Sequence, residues 1–216
     1  VRSGYLDGII ALDNVPTASI IAPAINCNLP AVGVGSDSHS NYVRGDDFNG
    51  GYQAMAHLLS LGHRQIGIIQ TPTQLNRPVT QRVDGMQAAA AEAHVDFENL
   101  CRVTGDFSTE SGYRAAEELL SRNPDITALI CINDRMAIGA IQYAIQQGID
   151  VPQQLSIVGY DNITTTQMFS PTITTIHQHA PEMGRLAAEM LFDVLNGETV
   201  QPVTLPTKLI VRQSSG

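Results

Sequence analysis

The side chains with the clearest capacity for chemistry in this sequence are Arg77, Arg82, Phe107, Asn133, Asp134 and Asp161. Each lies just past an apolar, strand-like run or in the segment leading into the next helix. A guanidinium presents a planar fork of donors, Asp161 and Asn133 can grip hydroxyls or amides, and Phe107 can stack on a flat or C–H-rich face. Together they suit recognition of a polar ring such as a sugar or a nucleobase. Each charged hydrogen bond contributes roughly 1.5 to 3 kcal/mol. Structural roles stay open for the same residues. Asn133 or Asp134 can cap a helix, Asp161 after Gly159-Tyr160 can sit in a turn, and the two arginines can lie on the surface.

Catalytic patterns are missing. No GxxxxGK[ST] loop occurs, and GVGSDS at Gly33 to Ser38 lacks the third glycine and the following helix of a dinucleotide fingerprint. There is neither a GxSxG elbow nor an HExxH pair. His177 and His179 flank Gln178 without any further ligand set at metal spacing. The expectation is a binding protein rather than an enzyme, with no catalytic residue, no metal and no cofactor.

The elements that must position these residues alternate as βαβ units from Gly50 onward. Met55, Leu58 and Leu59 mark a helix that stops at Gly62, and the strand Ile66 to Gln70 follows. Val83, Met86 and Ala90 mark a second helix, then a strand at Leu100 to Val103. Gly112, Ala115, Ala116, Leu119 and Leu120 give a third helix, capped by Ser108 or Thr109 and ended by Pro124. The run Ile126 to Ile132 is apolar almost throughout and so predicts a central strand covered on both faces. A helix over Ala137 to Ala144 ends at Gly148, and strands follow at Leu155 to Tyr160 and Ile173 to Ile176. A long amphipathic helix opens at Pro181 and closes at Gly197. The tail Val203 to Val211, next to Pro202 and with Pro206 inside it, suits edge strands.

In open parallel sheets, ligands bind where the loops leave the carboxyl ends of the strands. That rule selects Thr71 to Arg82, Gly105 to Ser108, Asn133 to Arg135 and Asp161 to Thr164. The residues singled out above fall in these segments.

With 216 residues and 43% hydrophobic composition, the chain can bury a substantial core. Its net charge of −9, with Lys208 as the only lysine, leaves no basic stripe to neutralise phosphates, so this stretch by itself is not expected to hold DNA. Cys27, Cys101 and Cys131 are odd in number and far apart, which reads as reduced and cytoplasmic. No 18-residue apolar run or signal-peptide pattern occurs, so no membrane partner is expected. The opening VRSGY reads as the last turn of a helix, making Val1 a truncation point.

Several longer stretches then fall into a pattern. DFNGG at Asp47 to Gly51, HLLSLGHRQIGII at His57 to Ile69, QRVDGM at Gln81 to Met86 and GDFSTESGYRAAEELL at Gly105 to Leu120 closely resemble the core of the LacI/GalR family of bacterial transcription regulators. So do ALICINDRMAIGAI at Ala128 to Ile141, GIDVPQQLSIVGYDN at Gly148 to Asn162, SPTITTIHQ at Ser170 to Gln178 and LPTKLIVRQS at Leu205 to Ser214.

The resemblance implies an α/β fold of the type I periplasmic-binding-protein kind: two Rossmann-like lobes with parallel sheets and an effector between them. The N-terminal lobe, residues 1–46 plus 179–204, would be incomplete, and the C-terminal lobe would hold 47–178 plus 205–216. Effector contacts implied by likeness are Arg82, Phe107, Asn133, Asp161 and Gln178, with Arg77 and then Asp37 held more loosely. The implied partners are a sugar, phosphosugar or purine effector, operator DNA through a headpiece absent from this chain, and a second copy in a homodimer. An exported sugar-binding protein is the alternative, since it would share fold and pocket; an α/β enzyme is a third.

Overall fold

The computed structural model describes residues 6–12, 29–35, 37, 40–72 and 77–216. The expected helix turn at the start of the chain, Cys27, and the loop 73–76 lie outside the described residues. The chain divides into two compact units, Val1–Asp46 with His179–Pro206, and Asp47–Gln178 with Thr207–Gly216.

The smaller unit carries a four-stranded sheet in the order β1 (Ile9–Leu12), β2 (Ala31–Val34), β3 (Tyr42–Gly45) and β9 (Val203–Leu205), every neighbouring pair parallel. Helix α5 (Ala180–Leu195) opens with Pro in its first turn, where a missing N–H costs nothing, and lays Met183, Ala187 and Met190 against Val32 and Val43. The positive φ of Gly197, +83°, ends it as the sequence predicts.

The larger unit is built on six strands in the order β10, β8, β7, β6, β4, β5. These are β4 (Ile66–Gln70), β5 (Arg102–Thr104), β6 (Ala128–Cys131), β7 (Ser156–Asp161), β8 (Thr174–His177) and β10 (Lys208–Ile210). All neighbours run parallel except β10, which pairs antiparallel with β8. Every residue of β6 is buried, so both of its faces are covered, as the unbroken apolar run demands. The two proline-flanked tail strands, β9 and β10, each lie at a sheet edge.

Among the described residues of this unit, four α-helices form: α1 (Asp47–Ser60), α2 (Arg77–Glu92), α3 (Thr109–Arg122) and α4 (Asp134–Gln146). They pack as two pairs in which glycine lets backbone meet backbone. A Cβ at Gly51 of α1 would stand 1.9 Å from the Arg82 carbonyl oxygen, and one at Gly85 of α2 would stand 1.9 Å from that of Phe48. The α3–α4 pair repeats the device, with a Cβ at Gly112 falling 2.2 Å from Met136 O and one at Gly139 falling 2.0 Å from Thr109 O. The close α1–α2 approach brings the first residue of α1 against the middle of α2, and that contact builds the site.

Candidate functional site

Asp47 opens α1, where an anion is favoured by the unpaired N–H groups of the first turn, and it is almost fully buried. Arg82 in α2 donates from Nε to Asp47 Oδ1 at 2.7 Å and from Nη1 to the carbonyl of Ile132, just past β6, at 2.8 Å. Its guanidinium carbon lies 3.7 Å from the centroid of the Tyr160 ring in β7, and the Tyr160 hydroxyl donates to Asp47 at 3.2 Å. Gly50 leaves room for that hydroxyl, which a Cβ there would meet at 2.2 Å.

Asp161, the last residue of β7, sets Oδ1 3.9 Å from Arg82 Nη1 and accepts a 2.7 Å bond from Gln178 Nε2. One guanidinium therefore lies between two carboxylates. Burial alone would favour a neutral Arg82, but Asp47, Tyr160 and Asp161 outweigh it and hold the guanidinium charged. Burial pushes the Asp161 carboxyl up to about 6, with Asp47 adding to the rise and Arg82 and Arg135 opposing it. The Tyr160 hydroxyl is likewise raised well above its ordinary value, chiefly by burial.

At the next strand end, Asn133 is the N-cap of α4: its Oδ1 accepts from Met136 N at 2.9 Å while its Nδ2 donates to Phe107 O at 3.0 Å. Asp134 does not share in the capping that sequence allowed it. Its fully buried carboxylate accepts from Thr175 Oγ1 at 2.6 Å and from Ile163 N at 2.9 Å, and burial pushes its pKa up to about 7, with Asp161 adding to the rise.

Phe107, in the loop between β5 and α3, holds φ +69° and leaves 36% of its surface exposed. Asp161 and Asn162 have φ +107° and +57°. Left-handed backbone at non-glycine residues costs on the order of 1 to 3 kcal/mol each and collects where function holds it in place.

The structure thus joins Arg82, Asp161 and Gln178 in one bonded cluster, with Asn133 and the Phe107 backbone joined beside them. Arg77, the first residue of α2, is exposed and lies outside the buried cluster. Asp37 belongs to the smaller unit.

Sequence reasoning missed several members. Asp47 and Tyr160 sat inside quoted motifs, DFNGG and GYDN, without being assigned roles. Gln70 Oε1 and Thr71 Oγ1, at the carboxyl end of β4, are buried polar atoms that find no partner among the described residues. The strand-end rule that selected Thr71 to Arg82 could have found Thr71; nothing in the pattern marks Gln70.

An open hollow of about 620 Å³ lies among neighbouring loops, lined by Ser108, Thr109, Arg135, Ile138, Ile163 and Phe169 among others, and neither Arg82 nor Asp161 borders it. Among the described residues, no group of three His, Cys, Asp or Glu side chains gathers at metal-binding distance. No described helix is long and apolar enough to cross a membrane.

Residues 55–215 match the family described as periplasmic binding protein-like domain. The chain is 41% identical over 169 residues to the HTH-type transcriptional repressor PurR of Klebsiella pneumoniae (strain 342), covering 77% of this chain and 49% of that protein. It therefore spans about half the length of the curated relatives it matches. A LacI family transcriptional regulator from Enterococcus faecium, solved with bound ribose, superposes with TM-score 0.89 at 31% identity, covering 99% of this chain and 81% of that one. The transcriptional regulator CelR in complex with cellobiose superposes with TM-score 0.90 at 32% identity, covering 98% and 67%.

Proposed function

The chain belongs to the LacI/GalR family, of which it is a periplasmic-binding-protein-like domain, and on that premise we propose that it is the effector-binding core of a cytoplasmic transcriptional regulator. Its strand-end cluster binds a small polar ring, a sugar, phosphosugar or purine, and the intact protein, as a homodimer, couples that occupancy to affinity for operator DNA. Arg82, Asp161, Gln178, Asn133 and Phe107 contact the effector, with Arg77 at the margin. No reaction is assigned to it, and no metal or cofactor.

One observation carries the reading. Arg82 is held rigid on three sides, yet Nη2 makes no bond to any described residue, while Gln70 Oε1 and Thr71 Oγ1 stand buried and unpartnered at an adjacent strand end. Buried polar groups are otherwise hydrogen-bonded, so the two oxygens left over at the end of β4 suit a bound hydroxyl or ring N–H, and Nη2 of Arg82 keeps a donor free beside them. Four of the positions, Phe107, Asn133, Asp161 and Gln178, sit at or just past the carboxyl ends of parallel strands, where such a ligand is expected.

The test is thermal melting of the chain with D-ribose, cellobiose, glucose 6-phosphate and adenine. A probe present at 100 times its dissociation constant adds about 2.7 kcal/mol of stability. For the whole gene product, that same probe should change operator affinity by roughly 5- to 150-fold. Chemical turnover of a bound probe, or DNA affinity indifferent to every probe that stabilises the chain, would contradict the proposal.

A further inference from the structure

Arg212, from the chain's last segment, reaches into the loop that follows β7. Its Nη1 donates to Thr166 Oγ1 at 2.9 Å and to Ile173 O at 2.8 Å, and its Nη2 donates to Asn162 Oδ1 at 2.6 Å. The backbone of Arg212 is itself fixed by a 2.9 Å bond to Thr174 Oγ1. Thr166 is fully buried and bonds back to Ile163 O at 2.7 Å, so the fork grips the loop at three separate points.

Asn162 is the residue that matters most among them. Its other amide end bonds His177 Nδ1 at 3.1 Å, and its N–H donates to Thr175 Oγ1 at 3.2 Å. Both ends of its side chain are thus held while its backbone, like that of Asp161 before it, lies in the left-handed region. Released from these bonds, an asparagine and an aspartate would relax toward ordinary backbone conformations, and the Asp161 side chain would turn with them.

We propose that Arg212 is a positioning residue for Asp161: by clamping Asn162 and the loop behind it, it fixes where the Asp161 carboxylate points, without touching that carboxylate. This rests on the effector-site reading only for its functional meaning; the positioning itself is measurable with no effector present. The groups acting on Asp161 directly are Arg82, Asp47 and Arg135, with Asp134 close enough to be affected by it.

The experiment follows the Asp161 carboxyl carbon by NMR through a pH titration of the full chain, in wild type and in Arg212→Met, which keeps the aliphatic stem and removes the fork. In the wild type, burial pushes it up to about 6. Freed into solvent, it should move at least about one pH unit toward the ordinary value of about 3.9. Loss of a nearby positive charge alone would move it upward, so the direction separates positioning from simple electrostatics. Arg212→Lys should not restore the midpoint, because one ammonium cannot replace two nitrogens aimed at separate acceptors. Asn162→Ala breaks the same clamp from the other side, keeps the cost of a left-handed backbone, and should lower the midpoint equally, with no further fall in the double variant; it carries the test alone if Arg212→Met does not fold. An unchanged or raised midpoint, or additive shifts, overturns the proposal. Whether Asp161 grips an effector is read separately, from Asp161→Asn in probe titrations, so either idea can fail without the other.

Discussion

Arg82 lies over the ring of Tyr160 with its guanidinium carbon 3.7 Å from the centroid, and both side chains meet the same oxygen of Asp47. Stacking of a desolvated guanidinium contributes about 2 kcal/mol, and the arrangement restricts Arg82 to a single orientation. A preorganised cation of this kind can recognise a ligand without first losing side-chain freedom.

Removing that cation should damage the fold as well as the site. Arg82→Ala leaves Asp47 buried and uncompensated, a change that costs about 3 to 5 kcal/mol of stability. Urea denaturation measures it. Replacing both partners, as in Arg82→Met with Asp47→Leu, should recover part of the loss because no orphan charge remains; an equal or larger loss in the double variant would contradict the ion-pair account.

Asp161→Asn separates binding from stability. It should weaken binding of whichever probe stabilises the chain by roughly 2 to 5 kcal/mol, as expected for truncating one member of a buried charged contact. Calorimetric titration checks this, and unchanged affinity would remove Asp161 from the site.

The same variant reports a pH effect. Burial pushes the folded Asp161 carboxyl up to about 6, above the unfolded value of about 3.9, so the folded state binds more protons in between. Its stabilising contribution is fully present below the unfolded value and is lost as pH rises through 6. Wild-type stability relative to Asp161→Asn should therefore fall, by something on the order of 2 to 3 kcal/mol, between about pH 4 and pH 7. Asp134, which burial pushes up to about 7, is present in both proteins, so its own decline with pH cancels from this difference. Denaturation midpoints across this range give the answer; a relative stability that climbs with pH contradicts it.

Gly51→Ala tests the helix contact that sets Arg82 in place. The new methyl would overlap the Arg82 carbonyl, so α1 and α2 must separate or α2 must shift. Overpacking of this kind costs about 1 to 3 kcal/mol, and probe affinity should fall along with the melting temperature. Gly62→Ala meets no atom within 4 Å but carries φ +93°, so it should lower stability and leave affinity untouched.

Phe107→Ala should do the reverse. The ring is partly exposed and the loop is held by its carbonyl bond to Asn133, so stability should change little while affinity for a ring-shaped probe falls. Equal melting with equal affinity would leave Phe107 a loop residue.

Much of this was legible from sequence because strand and helix periodicity carried it. The almost wholly apolar Ile126–Ile132 run holds the buried strand β6, Ala128–Cys131, and the prolines of the tail marked two edge strands. Loops leaving the parallel strands supplied Arg82, Asp161 and Asn133 before any coordinates. What periodicity could not carry was pairing over long separations. Asp47 meets Arg82 and Tyr160 only because glycines bring α1 against α2 and leave room for the tyrosine hydroxyl, and Arg212 meets Asn162 across 50 positions of chain. The division of work between Asn133 and Asp134 was also hidden, since both are ordinary capping residues and only the proximity of Thr175 draws Asp134 inward.

The most direct measurement is two-dimensional NMR of the chain titrated with D-ribose, cellobiose, glucose 6-phosphate and adenine. At least one of these should shift the signals of Gln70, Thr71, Arg82, Phe107, Asp161 and Gln178 together, and Asp161→Asn should abolish the response. No coherent change at those positions with any of the four, or shifts centred instead on the hollow beside Ser108, Arg135 and Phe169, would contradict the strand-end cluster as the effector site.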